Sequence, residues 1–314
     1  MNKLKSIFNR RVRFSILSRI GLYNMMADDK YLKKEYLLWC GKELDLNNPR
    51  TFNEKLQWLK LYDRKDIYTS MVDKYEAKLI VAEAIGKEYI IPTIGIYERF
   101  DDIDFSKLPN RFVMKCTHDS GGIVICKDKK NLDIKTIRKR FNSLLKNNFY
   151  YQHREWPYKN VRPRIIIEKY MEDNNKKSMR DYKFFCFNGE PKIMYISEGL
   201  EDHKTAKMSF YDMNMNITTC RRKDYKPLDY KPKKPANFDK MKMFSSILSK
   251  GIPHLRVDWY EINGKLYFGE LTFSTCAGMV PFADEVWNIK LGDYIDLEPL
   301  LVDLRKKQDG KTHE

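Results

Sequence analysis

The stretch LRVDWYEINGKLYFGELTF, residues 255–273, constrains the fold more than any other, because it can pair with itself in only a few registers. Asn263-Gly264 suits the left-handed centre of a two-residue type I′ hairpin. That turn would pair 262 with 265, 258 with 269 and 257 with 270, setting Val257 beside Glu270 on one face. A three-residue loop, Ile262 to Gly264 with a left-handed Gly264, pairs 261 with 265, 258 with 268 and 256 with 270. The faces then separate. Leu255, Val257, Trp259, Tyr267, Leu271 and Phe273 share one side, and Arg256, Asp258, Glu270 and Thr272 share the other. This partition predicts the three-residue loop or an equivalent one-residue irregularity.

Two carboxylates and an arginine on one face of a hairpin need compensation, since like charges brought together raise one another's pKa. A divalent cation supplies it. Magnesium suits hard oxygen ligands at this spacing, binding through one or two carboxylates and completing its shell with water and nucleotide phosphates. The alternative is an Arg256–Glu270 cross-strand ion pair with Asp258 at the surface, and the hairpin alone leaves both open.

Elsewhere the chain reads as helices followed by strands. The pattern is helical from Asp28 to about Asp66, with Thr51 and Glu54 in capping-box spacing, and SMVDKYEAKLIVAEAIG predicts one further helix ended by Gly86. Strands are expected at EYIIPTIGIY, RFVMKC and IVICKD, then a charged helix at LDIKTIRKRFNSLLKNNF. After Ile165 strands dominate: RIIIEKYM, DYKFFCFNGEPKIMYISE, KMSFYDMNMNIT and the hairpin, with a helix at DKMKMFSSILSKG. The class is α+β, two lobes behind a helical leader.

Lys plus Arg exceed Asp plus Glu by 59 to 43, a formal +16 that favours anionic partners such as nucleic acid, lipid, nucleotide phosphates or an acidic polymer. The six cysteines form no CxxC pair and no compact framework, which points away from zinc and disulfide scaffolds and toward a reducing cytosol. No apolar run approaches the ~18–20 residues that span a bilayer, and no signal peptide is visible. Residues 1–22 alternate apolar and basic positions at helical intervals, which suits either an anionic membrane surface or the body of the protein.

Several short motifs carry further chemistry. RFVMKCTHDSGGIVI sets Lys115 at a strand end before a loop containing His118, Ser120, Gly121 and Gly122, where backbone N–H groups can approach phosphate; a tight hairpin is the plainer reading. Glu168, Lys169 and Met171 of RIIIEKYM could line an adenine edge or simply end a strand, and VDKYEAK offers Lys74 and Lys78 on one helical face.

In order along the chain, these pieces resemble the ATP-grasp superfamily over roughly residues 73–282. Within it the chain looks most like the TupA-like ATP-grasp proteins of teichuronopeptide and capsular polysaccharide biosynthesis, through TFNEKLQWLKLYDR, VDKYEAK, RFVMKCTHDSGG, DYKFFCFNGEPK and RVDWYEINGKLYFGELTF. The resemblance implies an ATP-grasp fold of two α+β lobes gripping ATP. Its divisions would be a helical region at 1–70, a first lobe with the glycine loop at 71–164, a second lobe with the magnesium site at 165–297 and a charged tail at 298–314.

It also implies ATP and Mg2+ as cofactors. Lys74 and Lys115 would hold the phosphates under the loop of His118, Ser120, Gly121 and Gly122. Glu168 would accept from the adenine amino group, and the backbone of Lys169 and Met171 would line the hinge. Asp258 and Glu270 would bind magnesium, Arg256 would face the transferred phosphoryl group, and Lys183 would reach phosphate or ribose. The family's usual Asn, two residues after the second acid, is Thr272 here, with Ser274 beyond it; this puts the third metal ligand in question.

The activity implied is an ADP-forming carboxylate–amine ligase acting through an acyl-phosphate, joining an amino acid or other amine to the uronate of an anionic saccharide or lipid-linked glycan. Cation-rich positioning is what a loose phosphoryl transition state needs, and no nucleophilic triad is evident. The cytoplasm is the expected location, with the inner face of the membrane as a peripheral site, and nucleic acid is not an expected partner. YYQHREWPYKN suits sugar stacking or an interlobe connector equally, and the basic loop at 221–234 suits an anionic glycan or open solvent. Three other readings stay open: a glycosyltransferase, a glycan kinase, and a basic adaptor without catalysis.

Overall fold

The computed structural model describes residues 9–173, 180–199 and 205–309. Residues 1–8, which begin the basic N-terminal pattern, lie outside them. The leader folds as α1 (Arg10–Arg19), α2 (Asp28–Cys40) and α3 (Phe52–Tyr62). Phe14, Tyr31, Leu32 and Tyr36 form a small core with Ala277 and Met279. At the start of α3 the capping box is made: Thr51 Oγ1 accepts from the Glu54 N–H at 3.3 Å, and Glu54 Oε2 accepts from the Thr51 N–H at 2.9 Å.

The single helix expected over SMVDKYEAKLIVAEAIG is two, α4 (Ile67–Val72) and α5 (Glu76–Ile85). Asp73 breaks it. Its backbone is extended, its Oδ1 accepts the N–H groups of Tyr75 and Glu76, and its Oδ2 meets Arg164 at 3.0 Å. A short acidic side chain that captures following N–H groups competes with helix propagation. The break separates Lys74 from Lys78, so the shared helical face expected for them does not form.

A four-stranded antiparallel sheet of β1 (Thr93–Tyr97), β2 (Phe112–Cys116), β3 (Ile123–Cys126) and β4 (Ile165–Lys169) runs in the order β1-β4-β2-β3. One face packs on α6 (Ile134–Leu144) through Phe112, Met114, Ile165, Ile167 and Phe141. The short α7 (Tyr150–His153) leads back toward β4.

The second sheet holds β5 (Arg180–Phe187), β6 (Glu190–Glu198), β7 (Lys207–Asp212), β8 (Leu255–Ile262) and β9 (Lys265–Thr272), ordered β7-β6-β5-β8-β9. One face buries Tyr182, Phe184, Val257 and Trp259 against α8 (Phe238–Ser249), α4 and α5. At one end of the opposite face, Phe185, Phe187, Tyr195 and Phe210 pack on α3 and α9 (Glu285–Asp293). Leu300, Leu301 and Leu304 of α10 (Glu298–Asp309) also rest on this core, so the part of the 298–314 segment that is described is a docked helix; residues 310–314 lie outside.

The hairpin takes the second of the two expected forms, a one-residue irregularity away from the loop. Its turn has two residues, Asn263 and Gly264, both left-handed, and pairs 262 with 265. The one-residue irregularity lies further in: Trp259 pairs with Phe268 but Val257 with Leu271, so Gly269 and Glu270 together oppose Asp258. This bulge restores the partition that the loop was expected to supply. The core side carries Leu266 and Phe268 in place of Tyr267, while Arg256, Asp258, Glu270 and Thr272 stay together on the other side. Glycine suits the bulge, because a Cβ at 269 would lie 3.0 Å from the Asp258 carbonyl oxygen and 3.1 Å from the Tyr260 ring, a tight fit that would press β8 away by a few tenths of an ångström.

Candidate active site

Beside the apolar end of that second face lies a buried charge network. Lys183 on β5 pairs directly across from Asp258 on β8, and its ammonium meets the Asp258 carboxylate and, at 3.3 Å, that of Asp181. Arg256 donates from Nε to Asp258 Oδ1 at 2.7 Å and from Nη2 to Asp258 Oδ2 at 2.8 Å. The same Nη2 reaches Glu270 Oε1 at 2.6 Å, and the Thr272 hydroxyl donates to that oxygen at 3.3 Å.

The two acids differ in setting. Asp258 is fully buried, and burial raises its pKa against the opposing pull of Arg256 and Lys183. The Glu270 side chain is 48% exposed. Although desolvation works to raise it, the charges of Arg256, Lys183 and Lys74 hold Glu270 down to about 2. Lys183 is desolvated too, yet Asp181 and Asp258 lift it well above the ordinary lysine value.

The first sheet contributes from its open end. Lys74, freed by the helix break, donates to the Asp119 carbonyl and stands 3.9 Å from Asp119 Oδ1. Ser120 and Gly121 are exposed, with Gly121 left-handed. Gly122 is buried against the Asp119 carboxylate, so close that a Cβ there would lie 2.3 Å from Oδ2. The His118 side chain is buried instead of facing a ligand, its Nε2 3.1 Å from the Leu144 carbonyl; burial lowers its pKa.

Lys115 bonds Glu168 Oε2 at 2.7 Å, and Lys78 bonds Oε1. Burial would raise the pKa of Glu168, but these two lysines hold it down to about 2. Both carboxylate oxygens are therefore engaged within the protein. Lys169 is exposed, though its N–H is held by the Pro92 carbonyl at 2.9 Å, and Met171 is half-buried in the segment after β4.

Sequence reasoning missed Asp181 and Asp119; Asp181 was signalled by its i, i+2 spacing to Lys183. Burial raises the pKa of the Tyr158 phenol, and the charges of Glu155 and Glu270 raise it further.

Around it, YYQHREWPYKN is largely a connector. Tyr150 donates to Asp28 Oδ2 at 2.6 Å, and the buried Arg154 holds the Tyr23 carbonyl at 2.5 Å. No cluster of three or more Asp, Glu, His or Cys side chains able to hold a metal occurs among the described residues. A magnesium ion needs only one or two protein carboxylates when phosphates and water complete its shell. The donor chemistry of Asp258 and Glu270 fits that requirement, with Glu270 the more accessible acid.

Two antiparallel sheets with helices packed on them, behind a helical leader, fit the ATP-grasp class, whose enzymes use ATP and Mg2+. A family model described as TupA-like ATPgrasp matches residues 54–296, and the chain belongs to the TupA-like ATP-grasp family. Solved structures similar to it include the ATP-grasp ligase PsnB complexed with minimal precursor, 11% identical with a TM-score of 0.40 over 70% of this chain and 59% of that one. A D-alanine–D-alanine ligase from Bacillus anthracis is 17% identical with a TM-score of 0.42, covering 95% of this chain and 96% of its own. The D-cycloserine synthetase DcsG is 11% identical with a TM-score of 0.40, over 74% and 71% respectively. This chain thus spans 59% of the length of PsnB, and likeness at this level fixes neither activity nor substrate. No curated protein matches the chain in sequence.

Proposed function

We propose that the protein is an ADP-forming carboxylate–amine ligase that makes an amide on the uronate of a saccharide destined for the cell surface. The observation that carries the reading is the network of Arg256, Lys183, Asp258 and Glu270 facing Lys74 and the glycine loop. In this reading a substrate carboxylate attacks the γ-phosphate to give an acyl-phosphate and ADP, and an amine then displaces phosphate. Such chemistry needs preorganised charge more than covalent help from the protein.

Lys74 and Lys115 would pair with phosphate oxygens, with Glu168 and Lys78 fixing Lys115 in place. Ser120 and Gly121 would close over the phosphates with backbone N–H groups. Glu168 is thereby a positioning residue, and an adenine amino group would rely on backbone acceptors near Lys169 and Met171. Arg256 would balance charge on the transferred phosphoryl group while Lys183 and Asp181 keep Asp258 oriented. Asp258 and Glu270, with Thr272 beside them, would hold magnesium, which when bound supplies Lewis-acid neutralisation of the phosphates.

The formal +16 supports an anionic saccharide as substrate. Exposed Ile16, Ile20, Leu22 and Met25 beside exposed Arg13 and Arg19 support docking on anionic lipid at the inner membrane face, where a lipid-linked glycan would lie. The test is incubation with ATP, magnesium, a panel of uronates and a panel of amino acids, reading ADP and product mass. Uronate- and amine-dependent ADP with a product of the amide's mass is expected. Turnover of a nucleotide-sugar without ATP, or a phosphorylated glycan as final product, would replace the ligase with a transferase or kinase.

A further inference from the structure

The loop between β2 and β3 has an open side and a packed side. Ser120 and Gly121 are exposed, and a Cβ at Gly121 would meet nothing within 4 Å. Asp119 lies on the packed side. The residue is 7% exposed, both of its carboxylate oxygens are buried, and neither accepts a hydrogen bond among the described residues. A Cβ at Gly122 would occupy the space that Asp119 Oδ2 fills.

The backbone around this carboxylate is tied down. The Cys116 N–H donates to the Gly122 carbonyl at 2.9 Å, the Ile123 N–H to the Gly121 carbonyl at 2.9 Å and the Lys74 N–H to the Thr117 carbonyl at 3.1 Å. Arg140 of α6 adds a bond from Nη2 to the Gly121 carbonyl at 2.9 Å. Lys74, the ion-pair partner of Asp119 among the described residues, spends a side-chain N–H on the Asp119 carbonyl, and its Nζ stands 3.9 Å from Oδ1, beyond hydrogen-bond reach. Asp73 shows the contrast: that acid braces its own turn by accepting the N–H groups of Tyr75 at 2.8 Å and Glu76 at 3.1 Å. The Asp119 side chain braces nothing by hydrogen bonds.

A buried carboxylate without donors responds strongly to any charge brought near it, and the energy scales with that charge. We infer that Asp119 is a specificity residue that admits the triphosphate carrying magnesium and turns away the bare triphosphate. The assignment rests on the nucleotide reading of Lys74 and the glycine loop above. Two groups compete for one ammonium. Phosphate oxygens that take Lys74 bring negative charge toward Oδ1 and weaken the ion pair that Asp119 has. A bare triphosphate brings its full charge, whereas a divalent ion on the phosphates offsets much of it, so repulsion falls without Asp119 touching the metal. A metal ligand would behave differently, because the magnesium complex would depend on it.

The test is equilibrium binding of a non-hydrolysable ATP analogue to the full chain by calorimetry, with excess magnesium or with EDTA, for wild type, Asp119→Asn and Asp119→Ser. No turnover enters the readout, and two replacements keep the comparison available if one fails to fold. The ratio of dissociation constants, EDTA over magnesium, is expected to fall about tenfold or more in the variants, because the bare analogue binds tighter while affinity for the magnesium complex stays within about threefold of wild type. An unchanged ratio would overturn the assignment. So would weaker binding of the magnesium complex by the variants, which would make Asp119 a metal ligand or a brace for Lys74. A wild-type chain that binds the analogue in neither condition would instead remove the nucleotide reading beneath it.

Discussion

Asp258 and Glu270 share one arginine, yet replacing each by its amide should have opposite kinds of consequence. Asp258 accepts from Arg256 Nε, from Arg256 Nη2 and from Lys183, and is shielded completely from solvent. Asp258→Asn leaves two buried cations with half of their partner, and removing one member of a buried ionic group costs about 3–5 kcal/mol. Glu270 has one charge-assisted bond, from Arg256, and nearly half of its side chain meets water. Arg256 keeps Asp258 when Glu270 becomes Gln, so the screened pair is worth about 0–1 kcal/mol. Catalysis should reverse the order of interest: Glu270→Gln loses the accessible anionic ligand, and loss of one preorganised charge at a phosphoryl site costs about 10²–10³ in turnover. Urea unfolding measures the first quantity, and ADP release over a magnesium titration measures the second. Equal destabilisation by the two changes would refute the burial argument; normal magnesium-dependent turnover of Glu270→Gln would refute the metal role.

Glu168 gives a pH dependence with a definite sign. Its folded pKa of about 2 lies below the ordinary value of 4.5, so the unfolded chain binds more protons between those values. Its stabilising contribution is complete above about 4.5 and falls away as pH drops toward 2. Thermal unfolding across that range should show the decline in the wild-type chain and a weaker slope in Glu168→Gln, with that variant already destabilised at neutral pH because Lys78 is left buried. On the membrane question, Ile20→Glu with Leu22→Glu should lower co-sedimentation with vesicles containing phosphatidylglycerol while leaving unfolding unchanged, since both side chains are exposed. Undiminished binding would show that this patch is not the lipid contact.

Much was legible from local pattern. The alternation in β8 and β9 separated an apolar face from a charged one, and the capping box at Thr51 and the glycine loop after Lys115 each depend on residues a few positions apart. What the hairpin pattern demanded was one extra residue somewhere; it could not say where. Asn263-Gly264 kept its two-residue turn because both residues take left-handed conformations easily, and the bulge moved to Gly269, where the missing side chain lets β8 come close. Asp73 could be seen as a helix residue or a helix breaker, and its contact with Arg164 from beside β4 tipped the balance.

The sequence by itself determined which side chains carry charge, which faces are apolar and the family to which the chain belongs. Tertiary structure alone decided that Glu168 answers to Lys78 and Lys115, and that Arg256 stands between two acids of unlike exposure. The reason is physical: local pattern follows from backbone period and nearest neighbours, whereas partnership between charges far apart in the chain depends on which strands pair and how much water remains between them.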